Sequence, residues 1–64
     1  MSALYRLLAD DPRFGMSEGD VLECEPYWLD PSEKLTVLRR VSDGFDPCCN
    51  VYRHQVERVQ SDET

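Results

Sequence analysis

Gly19–Leu29, GDVLECEPYWL, alternates apolar and acidic side chains from Leu22 to Glu25. Successive side chains of an extended chain point to opposite faces, so Leu22 and Cys24 share one side and Glu23 and Glu25 the other. That is the pattern of a strand with one dry and one wet face. Pro26 cannot donate to a ladder, which predicts an edge position or a bulge there. If the strand keeps its phase through Pro26, Trp28 points into the core with Leu22 and Cys24, and Tyr27 lies outside with the glutamates.

A second strand is predicted over Lys34–Val41, KLTVLRRV, with Leu35, Val37 and Val41 inside and Thr36, Leu38 and Arg40 outside. Arg39 falls on the inner face, so a bulge or a strand end is expected beside it. Between the two strands, Leu29–Glu33 reads as a turn, with Asp30 bonding to neighbouring backbone and Pro31 supplying its preset φ. Ser42–Gly44 makes the next turn, Phe45 returns to the core, and Asp46-Pro47 marks a kink. Cys48–Tyr52 is the third strand, and after a tight turn near His54 and Gln55 a short segment, Val56–Val59, closes the chain.

Toward the N-terminus, Asp10–Gly19 is a loop with Phe14 and Met16 tucked against the core. Leu4, Leu7 and Leu8 recur at i, i+3 and i+4, Ser2 suits an N-cap and Pro12 a stop, which together predict a short helical arm over residues 3–9. A helix of about two turns does not persist alone in water. Its leucine face is therefore expected to cover an open side of the sheet. The polar residues 60–64 are expected to fray.

Four to five short antiparallel strands in so small a chain favour a meander that curls into a barrel, because a flat sheet would leave a face and two edges uncovered. The pattern resembles an SH3-like or KOW-like small barrel. GDVLEC looks like the strand after a tight Gly-Asp lead-in, KLTVLRRV like the long second strand, and VYRHQVERV like the strand, single 3₁₀ turn and closing strand of such barrels. The resemblance covers residues 15–59 and implies a mainly β fold. The basic loop of ribosomal KOW modules and the ALYDY-type signature of peptide-binding SH3 domains are missing, so the resemblance carries no ligand type. Fold likeness says little about function in any case.

At 64 residues the chain has room for one domain and one small core. Such a chain buries roughly 60% of its unfolded surface, so its stability is expected to be marginal. Hydrophobic residues at 41% and charged residues at 31% suit a folded chain. No apolar run approaches the ~18 residues of a membrane span, and the Leu4–Ala9 segment is too short for a signal-peptide core. Three cysteines are an odd set for a disulfide scaffold, so reduced thiols in a cytoplasmic protein are the simpler expectation. The net charge of −6 is unevenly spread: eight carboxylates stand against Arg13 alone over residues 9–33. Such a field opposes non-specific attachment to nucleic acid and anionic lipid.

Cys24, Cys48, Cys49 and His54 are the right types for a structural zinc site, but adjacent strand residues face opposite ways and no CxxC knuckle is present. The thiols are expected to pack as small apolar groups, with no cofactor. His54 reads as a solvated turn residue. No Gly-rich phosphate loop and no paired carboxylates of a hydrolase occur, and a barrel filled by its own side chains leaves no substrate pocket of a few hundred Å³. The expectation is a protein that is not an enzyme.

An acidic and aromatic face of Asp20, Glu23, Glu25, Tyr27, Asp30 and Tyr52 suits a protein contact, since aromatic anchors dominate interfaces and charge steers encounter. A free-standing chain beginning at Met1 looks like the small accessory proteins with which bacteria and phages modulate a larger host enzyme. The same carboxylates also fit an acidic mimic that blocks a DNA- or RNA-binding protein. Direct nucleic-acid binding would use Arg39, Arg40, Arg53 and Arg58, with Tyr52 stacking on a base. An open edge at Pro26 would permit a weak homodimer in place of a monomer.

Overall fold

The computed structural model describes residues 2–59. Five antiparallel strands, β1 (Ala3–Leu7), β2 (Val21–Pro26), β3 (Lys34–Arg40), β4 (Asn50–Tyr52) and β5 (Val56–Arg58), are joined with two single 3₁₀ turns, Pro12–Phe14 and Arg53–Gln55. The strand order is β4-β3-β2-β1-β5, and the sheet curls into a half-barrel. The residues expected at 60–64 to fray lie outside the described residues. No helix among the described residues is long and apolar enough to cross a membrane.

The alternation in β2 works as its residues dictate: Leu22 and Cys24 are buried at 0% and 1% exposure, whereas Glu23 and Glu25 face outward. Leu35 and Val37 of β3 and Val51 of β4 meet them in the core, with Leu7, Met16, Cys49 and Val56. Burying apolar area of this kind is the main force holding so short a chain together. Tyr5 and Phe14 pack at the margin of the core.

Residues 3–7 are a strand, not the expected helix. Leu4, Leu7 and Leu8 do not share a face, since Leu7 is buried while Leu4 and Leu8 are exposed. The same residues satisfy a period of two, with Tyr5 and Leu7 inward and Leu4 and Arg6 outward. An isolated two-turn helix is costly to nucleate. As a strand, the segment finds ladder partners on both sides, Ala3–Arg6 against Val21–Cys24 and Tyr5–Leu7 against Val56–Arg58. Ser2 caps nothing; its hydroxyl donates to Glu23 Oε2 at 2.8 Å.

The irregularity expected beside Arg39 is a β-bulge. Glu23 pairs with Arg39 and Cys24 with Val37, so Leu38 is the extra residue. The bulge takes Arg39 off the inner face and onto Glu23 outside. Pro26 does not lie in an edge strand, because β2 sits between β1 and β3. It is tolerated as the last residue of β2, past the point where β1 ends opposite Cys24. The open edges of the sheet belong to β4 and β5.

Trp28 is 80% exposed, against the expectation that it joins the core. The backbone N–H of Asp30 donates to the Tyr27 carbonyl at 3.1 Å, closing a β-turn with Trp28 and Leu29 at its centre. The turn ends the strand phase one residue after Pro26. Val41 and Phe45 are also exposed, because β3 stops at Arg40 and a turn follows. The third strand is shorter than expected, as Cys48 takes a left-handed φ of +54° just before it.

Candidate interaction face

Strand register builds a row of side chains on the outer face of β2, β3 and β4. Tyr27 N–H donates to the Lys34 carbonyl at 3.1 Å, and Lys34 lies directly opposite Tyr52. Side chains two residues away in each strand form the next row toward the middle of the sheet, Glu25, Thr36 and Asn50. Beneath the aromatic row, Leu35 and Val51 are buried and fix its height.

Lys34 Nζ lies 5.0 Å from the ring centroid of Tyr52 and 6.0 Å from that of Tyr27, so one ammonium serves two aromatic faces. His54 stacks on Tyr52 with centroids 5.4 Å apart and an interplanar angle of 17°. At the other end of the row, Trp28 stands 6.3 Å from Tyr27. The result is an aromatic line from Trp28 through Tyr27 and Tyr52 to His54. Two bonds clamp its loop: Arg53 N–H donates to the Glu33 carbonyl at 2.9 Å and Arg53 Nε to the Pro31 carbonyl at 3.0 Å. The Gln55 side chain accepts from Tyr52 N–H at 2.8 Å and holds the 3₁₀ turn against β4.

The six expected contact residues divide into two groups. Tyr27 and Tyr52 flank Lys34, Glu25 lies in the adjoining row, and Asp30 closes the Trp28 turn. Asp20 and Glu23 are occupied elsewhere. Asp20 Oδ2 accepts from Arg40 at 3.0 Å and from Ser17 N–H at 2.9 Å, and Glu23 accepts from Ser2 and from Arg39 Nε at 2.8 Å. The Ser2 hydroxyl, with Arg39 behind it, holds the Glu23 carboxyl below its usual range. Trp28, Lys34 and His54 belong to the face and were missed by sequence reasoning. For Lys34 the available signal was its position, one turn's width from Tyr27 across the predicted hairpin.

The four arginines proposed for nucleic acid are not gathered into an unpaired stripe. Arg39 pairs with Glu23, Arg40 with both Asp20 and Asp43, and Arg53 with the Pro31 carbonyl. Arg58 has no ion pair among the described residues.

Cys24 and Cys49 are buried in the core, Cys48 is exposed, and His54 sits on Tyr52. Among the described residues no group of three or more His, Cys, Asp or Glu side chains is placed to hold a metal ion. Burial pushes the Cys24 thiol up to about 12, with Cys49 and Glu23 adding to the effect, and burial likewise pushes Cys49 up to about 11. A groove of about 340 Å³ does exist, between β3 and residues 46–50. The core side chains Val37 and Cys49 form part of its wall, so a space of this size is present against the expectation of none. Its one carboxylate, Asp46, accepts from Cys48 N–H at 2.9 Å and so braces the loop.

The fold and this face define a small β half-barrel that presents an aromatic end. No protein-family model matches the chain, and no curated protein and no solved structure matches it.

Proposed function

We propose that this chain is a non-enzymatic protein-interaction module, an SH3-like half-barrel of the accessory type that docks on a larger protein through its aromatic end. Trp28 carries the reading. The only tryptophan of the chain stands 80% exposed in a hydrogen-bonded turn, beside Leu29 at 62%. A rigid, exposed aromatic at low entropic cost is the residue type that anchors interfaces. Tyr27 and Tyr52 extend the surface, and Glu25 and Asp30 border it with negative charge that steers a partner of opposite sign. The strand order and the 3₁₀ turn between β4 and β5 support the SH3-like assignment.

The mimic reading gains less support. Five carboxylates, Asp11, Asp20, Glu23, Asp43 and Glu57, are engaged by the chain's own arginines, which weakens any imitation of a phosphate row.

The test is affinity capture with the full chain as bait, beside a Trp28→Ala/Tyr52→Ala bait, read by mass spectrometry. Neither side chain belongs to the buried core, and circular dichroism of the variant bait checks that it is folded. A protein retained by the native chain and reduced roughly tenfold or more on the variant supports the reading. Equal retention on both baits overturns it.

A further inference from the structure

Four of the six aromatic rings in this chain have a cation of its own over them. Arg13 lies 5.5 Å from the Phe14 centroid, Arg40 lies 5.1 Å from that of Phe45, and Lys34 serves Tyr27 and Tyr52. Tyr5 packs against the core. That leaves Trp28, the best cation acceptor among the aromatic side chains and the most exposed of them, without a cation among the described residues. Its neighbours along the chain are acidic. Glu25, Asp30 and Glu33 lie within five positions of it along the chain, and none forms an ion pair among the described residues. The nearby cations are engaged by the chain's own groups, Lys34 over the two tyrosines and Arg53 on the Pro31 carbonyl.

On the reading that this end docks a protein, we infer that Trp28 receives an arginine of the partner, the guanidinium stacked on the indole and countered by the acidic side chains near it in the chain. The chemistry favours arginine over lysine. A guanidinium is planar, weakly hydrated and forked, so it lies flat on an indole while its edge N–H groups reach carboxylates bidentately. An ammonium is a compact, strongly hydrated point charge. The net charge of −6 brings cations of either kind toward the molecule, and the indole makes the selection.

Because Trp28 is the single tryptophan, its emission reports on this contact directly. The full chain is titrated at low salt with a nine-residue arginine peptide and with a matched lysine peptide. Backbone NMR shifts of residues 27–33 provide a second readout that serves the tryptophan variants. The arginine peptide is expected to perturb Trp28 emission and to bind more tightly than the lysine peptide. Trp28→Ala is expected to weaken it roughly two- to fivefold, and Glu25→Gln/Glu33→Gln to weaken it and flatten its salt dependence. Equal binding of the two peptides without change at Trp28, or no binding of either, overturns the assignment. If capture depends on Trp28 while the arginine peptide leaves it undisturbed, the docking end stands and its arginine occupant does not. If capture does not depend on Trp28, the docking reading itself falls.

Discussion

Arg40 and Asp20, twenty positions apart, meet at 3.0 Å between Nη1 and Oδ2. The same guanidinium donates to Asp43 through Nε and Nη2 at 3.0 and 2.8 Å and to the Gly15 carbonyl at 3.1 Å, with the Phe45 ring 5.1 Å away. One side chain thus ties the loop before β2 to the turn after β3 at the end of the barrel away from Trp28. Gly15 needs its freedom here because its φ is +72°, a left-handed conformation that side chains disfavour; a Cβ would only touch Phe45, at 3.8 Å. Arg40→Met is expected to lower the melting temperature by clearly more than Arg39→Met. Arg39 makes a single ion pair, and its side chain is 46% exposed against 20% for Arg40. Thermal unfolding followed by circular dichroism checks the ranking, and a reversal would place the fastening of these loops elsewhere.

Asp43 carries the acid side of the same cluster. Hydrogen bonds from Arg40, then from the Phe45 N–H, hold its carboxyl at about 2, below its ordinary 3.8. A lowered folded-state value means that the contribution is complete above 3.8 and is lost as pH falls through about 2. Melting curves between pH 5 and pH 2 are expected to show a decline that Arg40→Met removes in part.

The thiols act at the alkaline end. Unfolded Cys24 and Cys49 would ionise from about 9.0, whereas burial holds the folded thiols neutral to about 12 and about 11. Their contribution is complete below 9.0 and is lost as pH rises through those folded values. Near neutral pH, a thiol reagent is expected to label exposed Cys48 first and the other two only as the chain opens. Rapid labelling of all three, read by mass spectrometry, would contradict the buried pair.

Leu22→Ala should unfold much of the population at ambient temperature. Leu22 is fully buried, and deletion of such a side chain costs about 2–5 kcal/mol, comparable with the whole stability of a chain this short. Denaturant titration checks it.

Glu23 and Glu25 look equivalent in the sequence and differ in the structure. Glu25→Lys is expected to weaken partner capture with little change in stability. Glu23→Lys removes the acceptor of Ser2 and Arg39, so its first effect is on melting temperature.

The β2 alternation, the β3 alternation as far as Val37, the bulge beside Arg39 and the tight turn near His54 and Gln55 were legible because each rests on local period and turn chemistry. The β1 strand was not, because ALYRLL satisfies both a helical and an extended period, and only its partners Val21–Cys24 and Val56–Arg58 choose between them. Trp28 was misplaced by carrying strand phase through Pro26 into a turn. Lys34 between two tyrosines follows from register across three strands, which is long-range information. The engagement of Asp20 and Glu23 by Arg40 and Arg39 was hidden for the same reason.

The central claim is that Trp28 is a contact residue standing in water until a partner covers it. The most direct measurement is its fluorescence, with the accessibility of the indole to a neutral quencher, in the free full chain and after addition of the captured partner. The account predicts a solvated, readily quenched indole that becomes shielded and blue-shifted in the complex. An indole already shielded in the free chain, or one still open to quencher once the partner is bound, would contradict it.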